Sequence, residues 1–372
     1  MNEEYRILKE DKNGASVSAY ARNIAEIWPQ DQEKAAVYFW HYVVKHASEA
    51  CENVRRNQWH KVAESVGDVI VWWLSFTHKV TSSPYGNMPA EIIPYIASTA
   101  DDILWHKYPT FCPNCFGRRL IEEKLYSKNE PGKIVIDDPK AEKIIRDLEA
   151  RPQCTCLAEK ARIEGRDNDF KQFVKKNVSA YAKTNISKKP ESMDGFVDMF
   201  SKIYENNVEV LTIDEISFHL LEEVGEVSTA LTNLFTMEID KSSAAEVAEQ
   251  RNKRVKAFAE ELADVFSWSN SLVMKINRNL SCAADLVDLF YKVKGGVLAT
   301  GFSENIRNLV NTNLVDLIWL LHENDKGFLS CEKCHESPCN PQNPVHKETR
   351  GFINSPLGEK QIEIIKANSS IY

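Results

Sequence analysis

From Asp214 to Arg278 the apolar residues return at helical spacing, and acidic residues sit at fixed places between them. Ile216, Leu220, Val224, Val227, Leu231 and Leu234 recur every three or four positions, which predicts an amphipathic helix ending near Phe235. Thr212 or Asp214 can cap its start, and Glu215 stands three residues after Thr212 as in a capping box. A second helix is expected over about Val255 to Arg278, with Phe258, Leu262, Val265 and Phe266 along its apolar side. The polar run Glu238 to Lys253 between them is a connection or an added helical arm. Ala283 to Lys292, stopped by Gly295-Gly296, and Asn305 to Leu321 read as two further helices.

The first half has the same grammar, with helices expected over Ala35 to Arg56, Trp59 to Lys79 and Tyr95 to His106. Only 14 Gly and 14 Pro occur in 372 residues, which disfavours many-stranded β architectures. The fold class is therefore all-α. Ser48-Glu49-Ala50-Cys51-Glu52 stands where Glu222-Glu223-Val224-Gly225-Glu226 stands, and Ala63 to Val69 stands opposite Glu260 to Val265 with one residue of slippage. A repeated helical unit that cannot bury its own apolar face would pair with its copy, giving an internal pseudo-dimer. The expected division is a helical unit over 1–110, a cysteine-rich appendage over 111–165 and a lysine-rich linker over 166–192. A second helical unit follows over 193–325, then a cysteine-rich tail over 326–372.

Glu223 and Glu226 are three apart and share a helix face; Glu261 and Asp264 do the same on the next helix. Two antiparallel helices can bring these four carboxylates together. Alone they would repel one another and raise some of their pKa values, a conflict that a divalent cation removes. Oxygen ligands without neighbouring histidine or cysteine favour Mg²⁺ or Mn²⁺ over zinc. Glu222 can bind a second ion or orient water, and His219 can contact substrate. Lys275 and Arg278, with Lys253 and Arg254 as the other pair, can clamp a phosphate chain; Asn270 and Asn277 can add amide contacts, and Trp268 can stack on a base. The plainer alternatives are a solvated acidic helix face and a Trp268 that packs in the core. No P-loop or glycine-rich nucleotide cradle occurs.

The run Phe218-His219-Leu220-Leu221-Glu222-Glu223-Val224-Gly225-Glu226, followed by Glu261-Leu262-Ala263-Asp264-Val265-Phe266-Ser267-Trp268, resembles the paired acidic motifs of MazG-like all-α nucleotide pyrophosphohydrolases. The resemblance is strongest over about residues 193–295. It implies Mg²⁺ held by Glu223, Glu226, Glu261 and Asp264, and hydrolysis of a nucleoside triphosphate to monophosphate and pyrophosphate. It also implies helical units that associate, so a homo-oligomer is an expected partner state. Glu222 is then the group that positions or deprotonates water, and Lys275 and Arg278 stabilise developing charge. In the first half Glu49, Glu52 and Asp68 keep acidic character. Ser65 stands where the second motif would supply a glutamate, with Glu64 one position away. That second acidic set would be an active site, a binding site or a scaffold.

Nine cysteines are an odd number, and seven fall in short-spaced groups, which suits metal-bound thiolates in a cytoplasmic protein better than a disulfide framework. Cys112-Pro113-Asn114-Cys115 and Cys154-Thr155-Cys156 supply four soft ligands for tetrahedral Zn²⁺; redox and iron–sulfur roles lack a supporting context. Cys331, Cys334 and Cys339 form a second set, with His346, His322 or His335 as candidate fourth ligand. Cys51 and Cys282 are expected to be buried helix residues. The net charge of -8 argues against nucleic acid as partner, and the most apolar short stretch, Val69 to Phe76, is too short for a membrane. The rival readings are a nucleotide-binding regulatory protein without turnover and a zinc-stabilised interaction scaffold.

Overall fold

The computed structural model describes residues 6–29, 31, 34–82, 99–122, 139–156, 188–235, 244–294, 312–331, 334–340 and 342. The described chain is all-helical, apart from isolated bridges joining Leu8 to Phe328 and Glu323 to Leu329. Its helices are α1 (Val17–Ile27), α2 (Ala36–Arg55), α3 (Trp59–Ser82), α4 (Ala100–Lys107), α5 (Pro113–Glu122) and α6 (Pro139–Ala150) in the first half. In the second they are α7 (Met193–Val210), α8 (Ile213–Phe235), α9 (Ala244–Lys294) and α10 (Leu314–His322).

Local chemistry starts these helices. Ser16 and Ser192 cap α1 and α7, each hydroxyl accepting from the backbone N–H three residues on. Thr99 caps α4 in the same way, and Asn313 with Asp316 forms a full capping box on α10. At α8 the cap is Thr212: its hydroxyl accepts from Glu215 N, and the Glu215 carboxylate accepts from Thr212 N at 2.8 Å. Pro113 and Pro139 open α5 and α6, where a missing N–H costs nothing.

Two similarly packed sub-bundles result. α2 lies along α3 with α1 against α3; α8 lies along α9 with α7 against α9. The two hairpins then face each other. Trp40 Nε1 donates to Ser228 Oγ (2.8 Å) and the Cys51 thiol to Ser217 O (3.2 Å), so α2 and α8 run antiparallel. Trp73 Nε1 donates to Leu262 O at 3.0 Å, and Phe76 meets Phe258 edge-on at 5.9 Å, which joins α3 to α9. Trp40, Trp73, Phe76, Phe258 and Phe266 are fully buried along this seam. The fourth helices cross over: α4 of the first half packs on α9, and α10 of the second packs on α3. Gly67 admits that crossing, because a Cβ there would lie 2.2 Å from Leu321 Cδ1.

One expectation changes. Val255–Arg278 and Ala283–Lys292 belong to one 51-residue helix, α9, and the latter part of the polar run before them is its first turns. Among the described residues, the segment between the first cysteine pairs holds α5 and α6, which pack on each other, with Ala141, Ile144, Ile145 and Leu148 of α6 buried. Residues 95–98 and 305–311, expected to be helical, lie outside the described residues. No described helix is long and apolar enough to cross a membrane.

Candidate metal centre between the two halves

The facing stretches of α8 and α9 bring Glu223, Glu226 and Glu261 together, one carboxylate oxygen from each lying within 4.8 Å of the others. Glu223 and Glu261 are half-buried, and Glu226 is exposed. Glu223 Oε1 accepts from Trp268 Nε1 at 3.2 Å, while Glu223 Oε2 is buried with no hydrogen-bond partner. Burial, reinforced by the charges of Asp264, Glu226 and Glu261, pushes the Glu223 carboxyl up to about 8. A buried carboxylate oxygen left bare among two other carboxylates is what a hard cation relieves. The donor set is all oxygen, so it fits Mg²⁺ or Mn²⁺ in kind.

Asp264 turns elsewhere. Its Oδ1 accepts from the Tyr108 hydroxyl at 2.7 Å, and its Oδ2 pairs with the Lys107 ammonium. Lys107 comes from α4, the crossed-over helix of the first half, and its Nζ also lies 3.9 Å from Glu261. Burial alone would lower its pKa, but the charges of Asp264, Glu261 and Glu223 outweigh burial and raise it. Tyr108 in turn shares a 2.6 Å hydrogen bond with Tyr204 of α7, and burial holds both phenols well above their ordinary range. The acidic set therefore has a resident cation that sequence spacing did not predict. Its signal in the chain is a lysine set among Leu104, Trp105, Tyr108 and Phe111, just before the first cysteine pair.

An aromatic wall flanks the carboxylates. His219 stacks on Trp268 (4.6 Å between ring centroids, 20° between planes), and Tyr204 meets the same indole at 5.8 Å. His219 Nδ1 lies 3.1 Å from Glu222 Oε2, and Glu222 stands out toward solvent. The other expected contacts are not gathered here. Asn270 is buried and fastens α9 to α7, donating to Ser201 Oγ at 3.0 Å. Lys275 Nζ donates to Val208 O (2.9 Å), Arg278 pairs with Glu209 (3.5 Å) and Glu205 (3.9 Å), and Asn277 donates to Thr312 O. At about 1.5 Å per residue, Lys275 stands about 16 Å along α9 from Asp264. These groups close the far end of α7, and Lys107 is the cation at the carboxylates instead.

The first half repeats the geometry in a register one turn from that of the acid-to-acid matching. Trp72 stacks on Tyr42 (4.2 Å, 13°) as Trp268 stacks on His219. Counting from that pair, His46 occupies the place of Glu223, Glu49 that of Glu226, Ser65 that of Glu261 and Asp68 that of Asp264. His46 Nδ1 lies between Glu49 (2.9 Å) and Asp68 (3.2 Å). Glu52 turns outward to Arg55 and Arg56 (2.7 and 2.6 Å), and Glu64 is exposed. Glu49, Glu52, Glu64 and Asp68 thus form no common carboxylate centre among the described residues.

Both cysteine sets assemble. Cys112, Cys115, Cys154 and Cys156 converge, with sulfur separations of 3.5 Å (Cys115–Cys156), 3.8 Å (Cys112–Cys156) and 3.9 Å (Cys115–Cys154). A disulfide needs about 2.05 Å, whereas thiolates about 2.3 Å from one zinc lie about 3.8 Å apart in a tetrahedron. The backbone N–H groups of Thr155 and Cys156 point at Cys115 and Cys154 sulfur, both at 3.5 Å. Cys154 N donates to Ile203 O of α7 (2.6 Å), so this centre is pinned to the opposite half. A small cleft beside this centre is lined by Lys107, Tyr108, Cys112, Tyr204 and Glu260.

Cys331, Cys334 and Cys339 make the second cluster, with Cys334 and Cys339 sulfurs 3.8 Å apart. His335 takes φ 53° in the turn between them and donates its N–H to Cys331 O (2.8 Å); its exposed ring does not join the sulfurs. His322 packs edge-on against Trp28 and also stands outside the set, and His346 lies outside the described residues. Cys339 N donates to Ile27 O at the end of α1 (2.7 Å), a contact reciprocal to that of Cys154. Cys51 is a half-buried helix residue, and the side chain of Cys282 lies outside the described set.

Compared with family models, with curated proteins and with solved structures, the chain matches none.

Proposed function

We propose that this chain hydrolyses a nucleoside triphosphate to the monophosphate and pyrophosphate at the carboxylate centre of α8 and α9. The observation that carries the reading is the bare, buried Glu223 Oε2 where three carboxylates converge beside a lysine and an aromatic wall. Glu223, Glu226 and Glu261 would hold Mg²⁺ or Mn²⁺, which supplies Lewis acidity toward phosphate and a more acidic water. Trp268 and His219 offer ring faces to a base. Lys107 exchanges part of its pairing with Asp264 for the phosphate chain, and Tyr108 keeps Asp264 in place as it does so. Glu222, held by His219, takes the proton from the attacking water. Water oxygen bonds to the α-phosphorus, the bond from that phosphorus to the bridging oxygen breaks, and pyrophosphate leaves with the electron pair.

In this reading residues 1–110 and 193–325 are the two MazG-like units, 166–192 links them, and 111–165 and 326–372 are zinc-bearing appendages. Full-length protein assayed with a triphosphate panel and Mg²⁺ or Mn²⁺ should release equimolar monophosphate and pyrophosphate. Glu226→Gln should lose at least about 100-fold, roughly 3 kcal/mol of transition-state stabilisation. Equal rates in both would end the reading. Lys107 already neutralising Asp264 favours one second reading, a nucleotide-binding protein without turnover; saturable binding with no pyrophosphate would select it. Elemental analysis should find about two zinc ions per chain with both sulfur clusters filled, and about one if the three-cysteine set is empty.

A further inference from the structure

A buried ammonium stands among the carboxylates of α8 and α9. The side chains of Lys107 and Asp264 are only 12% and 8% exposed, and Lys107 Nζ pairs with Asp264 Oδ2. The same nitrogen lies 3.9 Å from Glu261. Glu261 therefore belongs to two groupings: it converges with Glu223 and Glu226, and it also approaches the ammonium. In a two-metal site the ions stand about 3.5–4 Å apart, and a carboxylate shared between two positive centres in this way has the place of the bridging ligand.

Asp264 is fastened in that arrangement. Its Oδ1 accepts from the Tyr108 hydroxyl at 2.7 Å. A phenol has one proton, so in the 2.6 Å bond between Tyr108 and Tyr204 the donor is Tyr204. With one oxygen on Tyr108 and the other on Lys107, Asp264 stands outside the carboxylate triad, although its spacing from Glu261 puts both on one helix face. Charge balance agrees. Glu223, Glu226, Glu261 and Asp264 carry four negative charges when all are ionised; one divalent cation cancels two of them and the ammonium a third. At the matching helix end of α10 stands Leu321, so the arrangement belongs to the second-half centre alone.

We propose that Lys107 holds the place of a second divalent cation: the centre takes one ion, on Glu223, Glu226 and Glu261, and Asp264 serves the lysine instead of a metal. This rests on reading the three carboxylates as a metal centre. A lysine supplies charge but neither Lewis acidity nor a bound water, so the centre has one metal-activated water to offer a phosphate ester. Because Lys107 is carried by α4, the first half sets the ion count of the second.

Counting Mn²⁺ on the full-length, zinc-loaded protein without nucleotide tests it. Free Mn²⁺ is read by electron paramagnetic resonance, and ions still held by Glu261→Ser are subtracted as surface binding. The wild type should hold one ion per chain. Lys107→Met should hold two, with the broadened spectrum of neighbouring Mn²⁺ ions about 3.5–4 Å apart. Lys107→Arg keeps the charge and should hold one, and Lys107→Met combined with Asp264→Asn should return to one. Two ions on the wild type or on Lys107→Arg, or one on a folded Lys107→Met, would overturn the proposal. Melting temperature and zinc content show which variants fold. Lys107→Gln, with the same expected count, replaces Lys107→Met if that variant misfolds, and the wild-type and Lys107→Arg counts decide the matter if neither folds. Pyrophosphate release with Mn²⁺ from the same preparations reads the hydrolytic proposal separately. One ion without release leaves the count standing and ends turnover, two ions with release does the reverse, and no Mn²⁺ on the wild type ends both.

Discussion

The centres of the two halves occupy the same place on corresponding pairs of helices, yet one gathers carboxylates around a lysine and the other gathers aromatics around a histidine. Glu223, Glu261 and Lys107 on one side answer to His46, Ser65 and Leu321 on the other. The seam that holds the halves together is made of other residues, Trp40, Trp73, Phe76, Phe258 and Phe266, all fully buried. That seam is apolar and involves none of the ionic groups in which the two centres differ. The comparison also shows how one lysine changes a site. Lys107 spans from one half to the carboxylates of the other, whereas Leu321 at the corresponding helix end packs against a glycine.

The largest effect should come from giving the second half the first half's residue. Glu261→Ser should weaken Mn²⁺ binding, read by electron paramagnetic resonance, and cut pyrophosphate release by at least about 100-fold. The reverse exchange, His46→Glu with Ser65→Glu, should raise bound Mn²⁺ from one to two per chain; an unchanged count would break the proposed equivalence of the two centres. Next in size are the sulfur clusters. Cys115→Ser removes a ligand from a four-sulfur set and should cost about 3 kcal/mol or more with loss of one zinc. Cys334→Ser in the three-sulfur set should lower the melting temperature less.

A third difference is acid sensitivity. His78 of α3 is held down to about 4 by burial, with the charges of Arg22 and Lys79 adding to it, and Met274 stands at the matching place on α9. The native state then binds fewer protons than the unfolded chain between the ordinary value of 6.5 and 4, so stability is full above that window and lost as pH falls through it. About 2 kcal/mol should be gone by pH 5, and His78→Met should flatten this fall in urea titrations at pH 7.5 and 5. The smallest effect separates the two helical glycines. A Cβ at Gly225 meets nothing within 4 Å, so Gly225→Ala should stabilise by about 0.5–1 kcal/mol. Gly67→Ala meets Leu321 and should destabilise by about 1 kcal/mol, a loss that Leu321→Ala in the same chain should partly relieve, as a double-mutant cycle would show.

Much of this was legible because helical spacing is a local property. The cap at Thr212, the hairpins, and the faces shared by Glu223 with Glu226 and by Glu261 with Asp264 all follow from residues within a turn of one another. The cysteine spacings likewise fix their own loops. What failed was long-range. Lys107 reaches the carboxylates only because α4 crosses to the other half, and no short window contains that crossing. Lys275 and Arg278 looked suitable by charge, but α7 supplies closer partners in Val208 O, Glu205 and Glu209. The register of the first half slipped by a turn because acids were matched to acids. Trp72 and Trp268, set across from Tyr42 and His219, mark the correspondence that the histidine at 46 conceals. The glycine between the acids pointed to no close approach, since the space around Gly225 is open.

The reciprocal backbone bonds Cys154 N to Ile203 O and Cys339 N to Ile27 O tie each half's thiol loop to the other half's opening helix. Severing the chain between them would therefore not yield two autonomous modules. Each fragment would carry the other's lid and leave its own long hairpin uncovered, so the fragments should become soluble and ordered only when mixed. A chain wired in this way gains or loses both centres together, even though only one of them is charged for a cation.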